Sequence, residues 1–251
     1  MDDVQRYFVE PEQMSEDEVE ITGEDVKHID KVMRLQPGSH IECLNNQGRR
    51  THCKIRSVNK ESIEADIMQD LENSPELPVY AAVAQALIKG DNLDLVVQKG
   101  TELGVGSFLL FAAGRSVVKW DSSKVEKKVQ RLRKIAKEAA EQSGRLYIPD
   151  VSYYPSTGDM LEAASMYNTS LYLDEETAKN GKHETLAEIF SSRPPSILAV
   201  IGPEGGISPE EAQTFDKSGF RPVSLGPRIL RSESASLYFL SALSYHYEIL
   251  R

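Results

Sequence analysis

The stretch SILAVIGPEGGISPEEAQTFDKSG, residues 196–219, decides how this chain is built. Ser196 to Ile201 form a short apolar run bounded by glycine, the pattern of a buried strand. Ser208 suits a helix N-cap, Pro209 suits the first helical position, and Glu211 completes a capping box three residues after the serine. The stretch therefore reads strand, loop, helix. The same alternation runs outward from it: VYAAVAQALI from Val79, then NLDLVVQKGTEL, SFLLFAA, a long helix from about Ser123 to Gln142, GDMLEAASMY, TSLYLD, HETLAEIF, and finally RPVSLG before a last helix. Alternation of this kind predicts a mainly parallel sheet covered on both faces, an α/β domain. In the long helix Val125, Val129, Leu132, Ala136 and Ala139 recur every three or four residues, which predicts one buried stripe.

The first 72 or so residues read differently. QRYFV, EVEIT, HIECLN, RRTHCKIRSV and SIEADIM are short β-rich runs, EDVKHIDKVMR is the one helical segment among them, and NNQG makes a hairpin turn. They predict a small β-rich domain. QDLENSPELP then marks a change of composition that suits a linker. The domains expected are residues 1–72 and 73–251.

At 251 residues the chain can bury a full core. No run of about 18 apolar residues occurs, and MDDVQRYFVE lacks the basic and apolar regions of a signal peptide, so a cytoplasmic enzyme without a membrane partner is expected. Cys43 and Cys53 lack metal or redox spacing; buried free thiols and no metal are expected. The formal charge of −10 argues at first against nucleic acid, but its distribution is uneven. Residues 115–145 hold ten basic side chains against four acidic ones, leaving −16 on the remainder. Such a run is either a solvated helix face or a surface for phosphates.

Two loops exceed what folding requires. Before the capping box stand Gly202, Pro203, Glu204, Gly205 and Gly206, which suggest backbone approaching a ligand at the carboxyl end of a strand, or else a tight turn. No lysine followed by serine or threonine closes the loop, so it is not a P-loop, and it lacks the dinucleotide spacing. A carboxylate in its middle disfavours phosphate and favours a nucleoside-like ligand with an amine or sulfonium group. The second loop, LGPRILRSES from Leu225, places Arg228, Arg231 and Glu233 between a strand and the final helix, where a turn and a cap would suffice.

Together RYFV, HIDKVMRL, KGDNLDLVVQKGTELGV, EAAEQSGR, IGPEGGISPEE and LGPRILRSESA closely resemble the bacterial small-subunit ribosomal RNA uridine-N3 methyltransferase family of the SPOUT superfamily, in order and spacing over nearly the whole chain. The one visible departure is RSESA, where that family usually has threonines; serine keeps the hydroxyl and its capping ability and loses a methyl group. The resemblance implies an N-terminal PUA-like RNA-binding β-barrel and a C-terminal trefoil-knotted SPOUT α/β methyltransferase domain. It implies a homodimer and S-adenosylmethionine as cofactor. The matching cofactor pocket is Leu173, Ile201, Gly202, Pro203, Gly205, Gly206, Leu225, Gly226, Ile229 and Leu230.

Methylating the uracil ring nitrogen needs orientation, a proton acceptor and stabilisation of charge on the oxygens. Arg231 is the candidate for holding the uracil anion, and Glu204 and Glu233 are candidate acceptors. Glu204 ranks first, because a helix N-terminus keeps Glu233 charged and makes it the poorer base; either carboxylate could instead only position its loop. RNA contacts are expected at Lys127, Lys128, Arg131 and Lys134 of the basic helix, at Arg6, His28 and Arg34 in the small domain, and at Lys89, Lys99, Arg115 and Arg145. The RNA partner is free small-subunit ribosomal RNA or the assembled subunit. Two rivals remain, a non-catalytic ribosome assembly factor on the same fold and an enzyme that uses GPEGG to cradle phosphate.

Overall fold

The computed structural model describes residues 4–174 and 186–250, and the chain falls into two compact units. The first gathers the chain up to Glu76 and adds Lys137–Ile148, a return of chain that a linear division of the sequence does not contain. It holds helix α1 (Glu24–Lys27) and five strands, β1 (Arg6–Phe8), β2 (Glu18–Thr22), β3 (His40–Leu44), β4 (Arg50–Val58) and β5 (Ser62–Asp70), in the sheet order β1-β3-β4-β5-β2. Only β1 and β3 run parallel; the other neighbours are antiparallel. β2 alternates as its sequence does, with Val19 and Ile21 buried and Glu18 and Glu20 exposed. In the β3–β4 hairpin Asn46 and Gly48 take positive φ (55° and 95°), the conformation that asparagine and glycine accept most readily.

The core of this unit is Tyr7, Ile21, Ile29, Ile41, Ile55 and Ile63 with both cysteines, which are buried free thiols as expected. The returning segment closes a second cluster, in which Ala140 and Leu146 join Phe8 and Leu44. Its polar ties are specific. Glu141 Oε1 accepts from the Phe8 backbone N–H at 3.1 Å, and Lys137 Nζ meets Asp25 Oδ2 at 2.6 Å. Arg145 is 3% exposed and holds Glu76 through Nε and Nη2, with contacts of 2.6–3.0 Å. Burial and full pairing make Arg145 a structural anchor of this unit, a correction to its expected place on an RNA-facing surface.

The second unit is an all-parallel six-stranded sheet: β6 (Tyr80–Ala86), β7 (Ser107–Phe111), β8 (Asp150–Tyr154), β9 (Thr169–Leu173), β10 (Ser196–Ile201) and β11 (Arg221–Val223), in the order β11-β9-β10-β6-β7-β8. β7 is buried at every residue and β6 and β10 nearly so, which is why they read as apolar runs without alternation. The helices are α2 (Asn92–Glu102), α3 (Ser122–Ser143, up to Ala136 in this unit), α4 (Thr157–Ala164), α5 (Leu186–Ser191), α6 (Pro209–Lys217) and α7 (Ser232–Ser244). α4 and α6 cover one face, where Met160 and Phe215 pack on Ala84, Leu109 and Val200. α2 and α7 cover the other; at Gly100 a side chain would stand 2.8 Å from Phe108 and 3.3 Å from Leu240, so only glycine lets these layers meet. Of the expected stripe on α3, Val129, Leu132, Ala136 and Ala139 are buried and Val125 half-buried. Gly144, at φ 73°, ends that helix. The first residues of HETLAEIF lie outside the described residues.

Candidate active site

In a parallel sheet all strands point the same way, so their carboxyl ends share one edge, and ligands of open α/β sheets bind there. β9, β10 and β11 bring Leu173, Ile201 and Val223 to that edge side by side: Leu173 pairs with Val223, and Ile201 pairs with Gln85 of β6. The loops that carry Gly202 to Gly206 and Leu225 to Leu230 leave from the ends of β10 and β11, which flank β9, so the sheet brings the expected pocket residues to one edge. Gly206 and Gly226 have positive φ (70° and 106°), and among the described residues, chain neighbours aside, no atom lies within 4 Å of the side chain either position lacks. Gly202 is glycine for closeness, since a Cβ would stand 3.1 Å from the Gly206 and Ile207 backbone. Gly205 has no positive φ; its constraint is Arg115, whose Cβ would be 3.2 Å away. Ile229 is 72% exposed and Leu230 half-buried.

A buried polar chain fixes these loops to the sheet. Gln85 Nε2 donates to the Ala86 carbonyl at 3.0 Å and to Ser232 Oγ at 2.9 Å. Ser232 Oγ donates to the Gly202 carbonyl at 2.6 Å, and Ser236 Oγ donates to Gln85 Oε1. Gln85 and Ser236 are fully buried, so their polar atoms need these partners. Ser232 does not cap its helix as its position in RSESA suggested. Arg231 occupies the N-cap, and the serine hydroxyl turns to the glycine loop. The sequence contained a signal for this chain in Gln85, a lone amide within VYAAVAQALI, where a strand buried on both faces must satisfy every polar group.

Arg231 is exposed, and among the described residues no hydrogen bond or ion pair engages its guanidinium. Glu233 lies in the first turn of α7, the expected place. Glu204 is exposed, and its Oε1 accepts from the Lys89 backbone N–H at 2.8 Å, which ties the glycine loop to the chain after β6. Arg115 forms a second tie, donating to the carbonyls of Gly205 (3.2 Å) and Ile207 (3.3 Å). The capping box forms as read: Ser208 Oγ accepts from Glu211 N, and Glu211 Oε2 accepts from Ser208 N. Glu211 Oε1 also accepts from Gly114 N at 2.9 Å and from the Thr157 hydroxyl at 2.8 Å, so one carboxylate caps a helix and pins both the loop after β7 and the start of α4.

The expected RNA-binding side chains divide. In the second unit Lys127 and Lys134 are exposed, Lys128 lies over the Trp120 ring, and Arg131 pairs with Asp94. Lys99 pairs with Glu102 one helical turn on. In the first unit Arg34 is exposed at φ 54°, Arg6 donates to Glu42 at 3.0 Å, and His28 Nδ1 lies 3.1 Å from the Tyr7 hydroxyl. Arg6, Tyr7 and His28 line a cavity of about 240 Å³ with Glu138 and Glu141. Burial pushes the Glu141 carboxyl up to about 7, against the pull of Lys137 and the Phe8 amide. Among the described residues no group of three or more His, Cys, Asp or Glu could hold a metal, and no helix is long and apolar enough to cross a membrane.

Residues 75–244 match the RNA methyltransferase domain family, and residues 21–68 match the RNA methyltransferase PUA domain. The two units thus carry the domain pair of an RNA methyltransferase. Ribosomal RNA small subunit methyltransferase E of Bacillus subtilis is 41% identical over 253 residues, 99% of each chain. A crystal structure of the enzyme of the same name from Neisseria gonorrhoeae, bound to S-adenosyl methionine, superposes with a TM-score of 0.85 at 29% identity, over 97% of this chain and 98% of that one. A crystal structure of a protein described as hypothetical superposes at 0.90 with 40% identity, over 98% and 100%. The chain belongs to the ribosomal RNA small subunit methyltransferase E family.

Proposed function

We propose that this protein transfers a methyl group from S-adenosylmethionine to the ring nitrogen N3 of a uridine in small-subunit ribosomal RNA. The observation that carries the reading is the placement of the 202–206 and 225–230 loops at the carboxyl edge of the sheet, tied by the bond from Ser232 to the Gly202 carbonyl, with Arg231, unpaired among the described residues, at the start of α7. The residues there fit the cofactor. Open space beside Gly206 and Gly226 leaves backbone groups accessible to a flat base, Ile229 and Leu230 offer apolar contact, and Glu204 places negative charge near a sulfonium. S-adenosylmethionine bound there supplies the electrophilic methyl. Arg231, with its rigid fork of donors, holds the uracil oxygens as N3 loses its proton.

Glu204 and Glu233 are the candidates for accepting that proton. The bond from Lys89 N to Glu204 gives this carboxylate a loop-positioning role as well. The reading extends to a cytoplasmic homodimer and to the trefoil threading of the family's catalytic domain. For the dimer, Tyr238, Tyr245, Ile249 and Leu250 are 44–68% exposed along α7 and the turn after it, an apolar face suited to a second copy.

The test is transfer of labelled methyl from S-adenosylmethionine to free small-subunit ribosomal RNA and to assembled subunits, with 3-methyluridine sought in the product. Arg231→Ala is expected to keep cofactor affinity and to lose turnover by roughly 100-fold. Cofactor binding without transfer to either RNA form would overturn the enzyme reading and favour an assembly factor.

A further inference from the structure

Within the second unit, one aromatic cluster has no part in the site described above. Trp120 and Tyr153 stack with ring centroids 5.0 Å apart and planes 28° from parallel, both half-exposed. Lys128 Nζ lies 5.0 Å from the centre of the Trp120 ring. Tyr153 belongs to β8, one residue before its carboxyl end, and Trp120 ends the loop that leaves β7. The pair therefore stands at the same edge of the parallel sheet as the glycine loops. The loop between is fixed at its other side, where Arg115 donates to the Gly205 and Ile207 carbonyls and Gly114 donates to Glu211. Five residues of chain from Arg115 to Trp120 reach at most about 18 Å.

The surroundings of the pair are basic. Lys119, Lys124 and Lys127 are exposed, and no ion pair engages them among the described residues. Asp121, the carboxylate next to Trp120 in the chain, is occupied at the start of α3, where it accepts from Ser123 N at 2.9 Å and from Ser123 Oγ at 2.6 Å. Aromatic rings beside unpaired cations are the means by which proteins hold single-stranded nucleic acid: bases stack on the rings and phosphates meet the cations.

We propose that Trp120, Tyr153 and Lys128 form a stacking platform for an unpaired nucleotide that flanks the methylated uridine. The base takes the indole, and the Lys128 ammonium, now over that ring, moves to the phosphate of the same nucleotide. A cation over an exposed ring is held weakly, while a stacked base is held more strongly, so the exchange favours RNA. The platform selects single strand over duplex, because a paired base has no free face to offer. The inference rests on the RNA methylation proposed above.

Trp120 is the only tryptophan of the chain, so intrinsic tryptophan fluorescence reports on this site alone. The experiment titrates the full-length protein with a single-stranded fragment of small-subunit ribosomal RNA and with a duplex of equal length. Labelled-RNA anisotropy and methyl transfer are followed separately. The single strand is expected to quench Trp120 along the same binding curve that anisotropy gives, and the duplex to quench little. Trp120→Leu should weaken single-strand binding by about tenfold or more, Trp120→Phe much less, and neither should alter S-adenosylmethionine affinity. Single-strand binding and methyl transfer with unquenched Trp120 would overturn the platform and leave the enzyme reading standing. Absence of methyl transfer together with absence of RNA binding would overturn both.

Discussion

Ser232→Ala tests the polar chain that holds the glycine loop against the sheet. The hydroxyl makes two hydrogen bonds, accepting from Gln85 Nε2 at 2.9 Å and donating to the Gly202 carbonyl at 2.6 Å. Each is worth about 1 kcal/mol net, and the fully buried Gln85 would keep one amide N–H without a partner, at a further cost of about 1 kcal/mol. The loss is therefore about 3 kcal/mol, or a fall in melting temperature of roughly 6–12 °C for a unit of this size. Because the Gly202 carbonyl is released as well, S-adenosylmethionine should bind more weakly to the variant. Ser232→Thr keeps both bonds and should differ little from the parent. Thermal unfolding and isothermal titration with S-adenosylmethionine measure the two effects. A Ser232→Ala variant with unchanged melting temperature and affinity would refute the reasoning, since a fully buried amide cannot lose its partner at no cost.

Glu141 predicts a pH dependence of stability. The folded protein holds its carboxyl proton up to about 7, against an ordinary value of 4.5, so between these values the native state binds more protons than the unfolded one and stability falls as pH rises. At about 1.4 kcal/mol per pH unit the loss is at most about 3 kcal/mol. Glu141→Gln should remove that slope, which urea midpoints at pH 5 and pH 8 would reveal; parallel profiles for the variant and its parent would defeat the argument. Gly205→Val should press on Arg115, loosen its bonds to the Gly205 and Ile207 carbonyls and weaken cofactor binding in a calorimetric titration, though not through backbone angles, which at this glycine are ordinary.

Several features were legible in the sequence because their causes are local. Five consecutive apolar residues before a glycine make a buried strand wherever they occur, and Ser208, Pro209 and Glu211 start a helix by bonds that span three residues. The buried stripe of α3 follows from the helical repeat, and the left-handed turn at Asn46 and Gly48 follows from NNQG. The two loops stood out because they held more glycine and charge than a connection needs. What each charged side chain meets is not local. Arg145 read as a surface cation, yet Glu76, 69 residues away, claims it within the first unit. Arg115 spans 90 residues to reach the Gly205 carbonyl, and Gln85 spans 147 to reach Ser232. A side chain several bonds long can point to solvent or to any neighbour the fold supplies, and sequence spacing contains no term for that choice. The sequence by itself determined the elements, the α/β order and the loops that differ from plain connections; only tertiary packing, which sets distance between residues far apart in the chain, decided which polar groups build the site and which hold it in place.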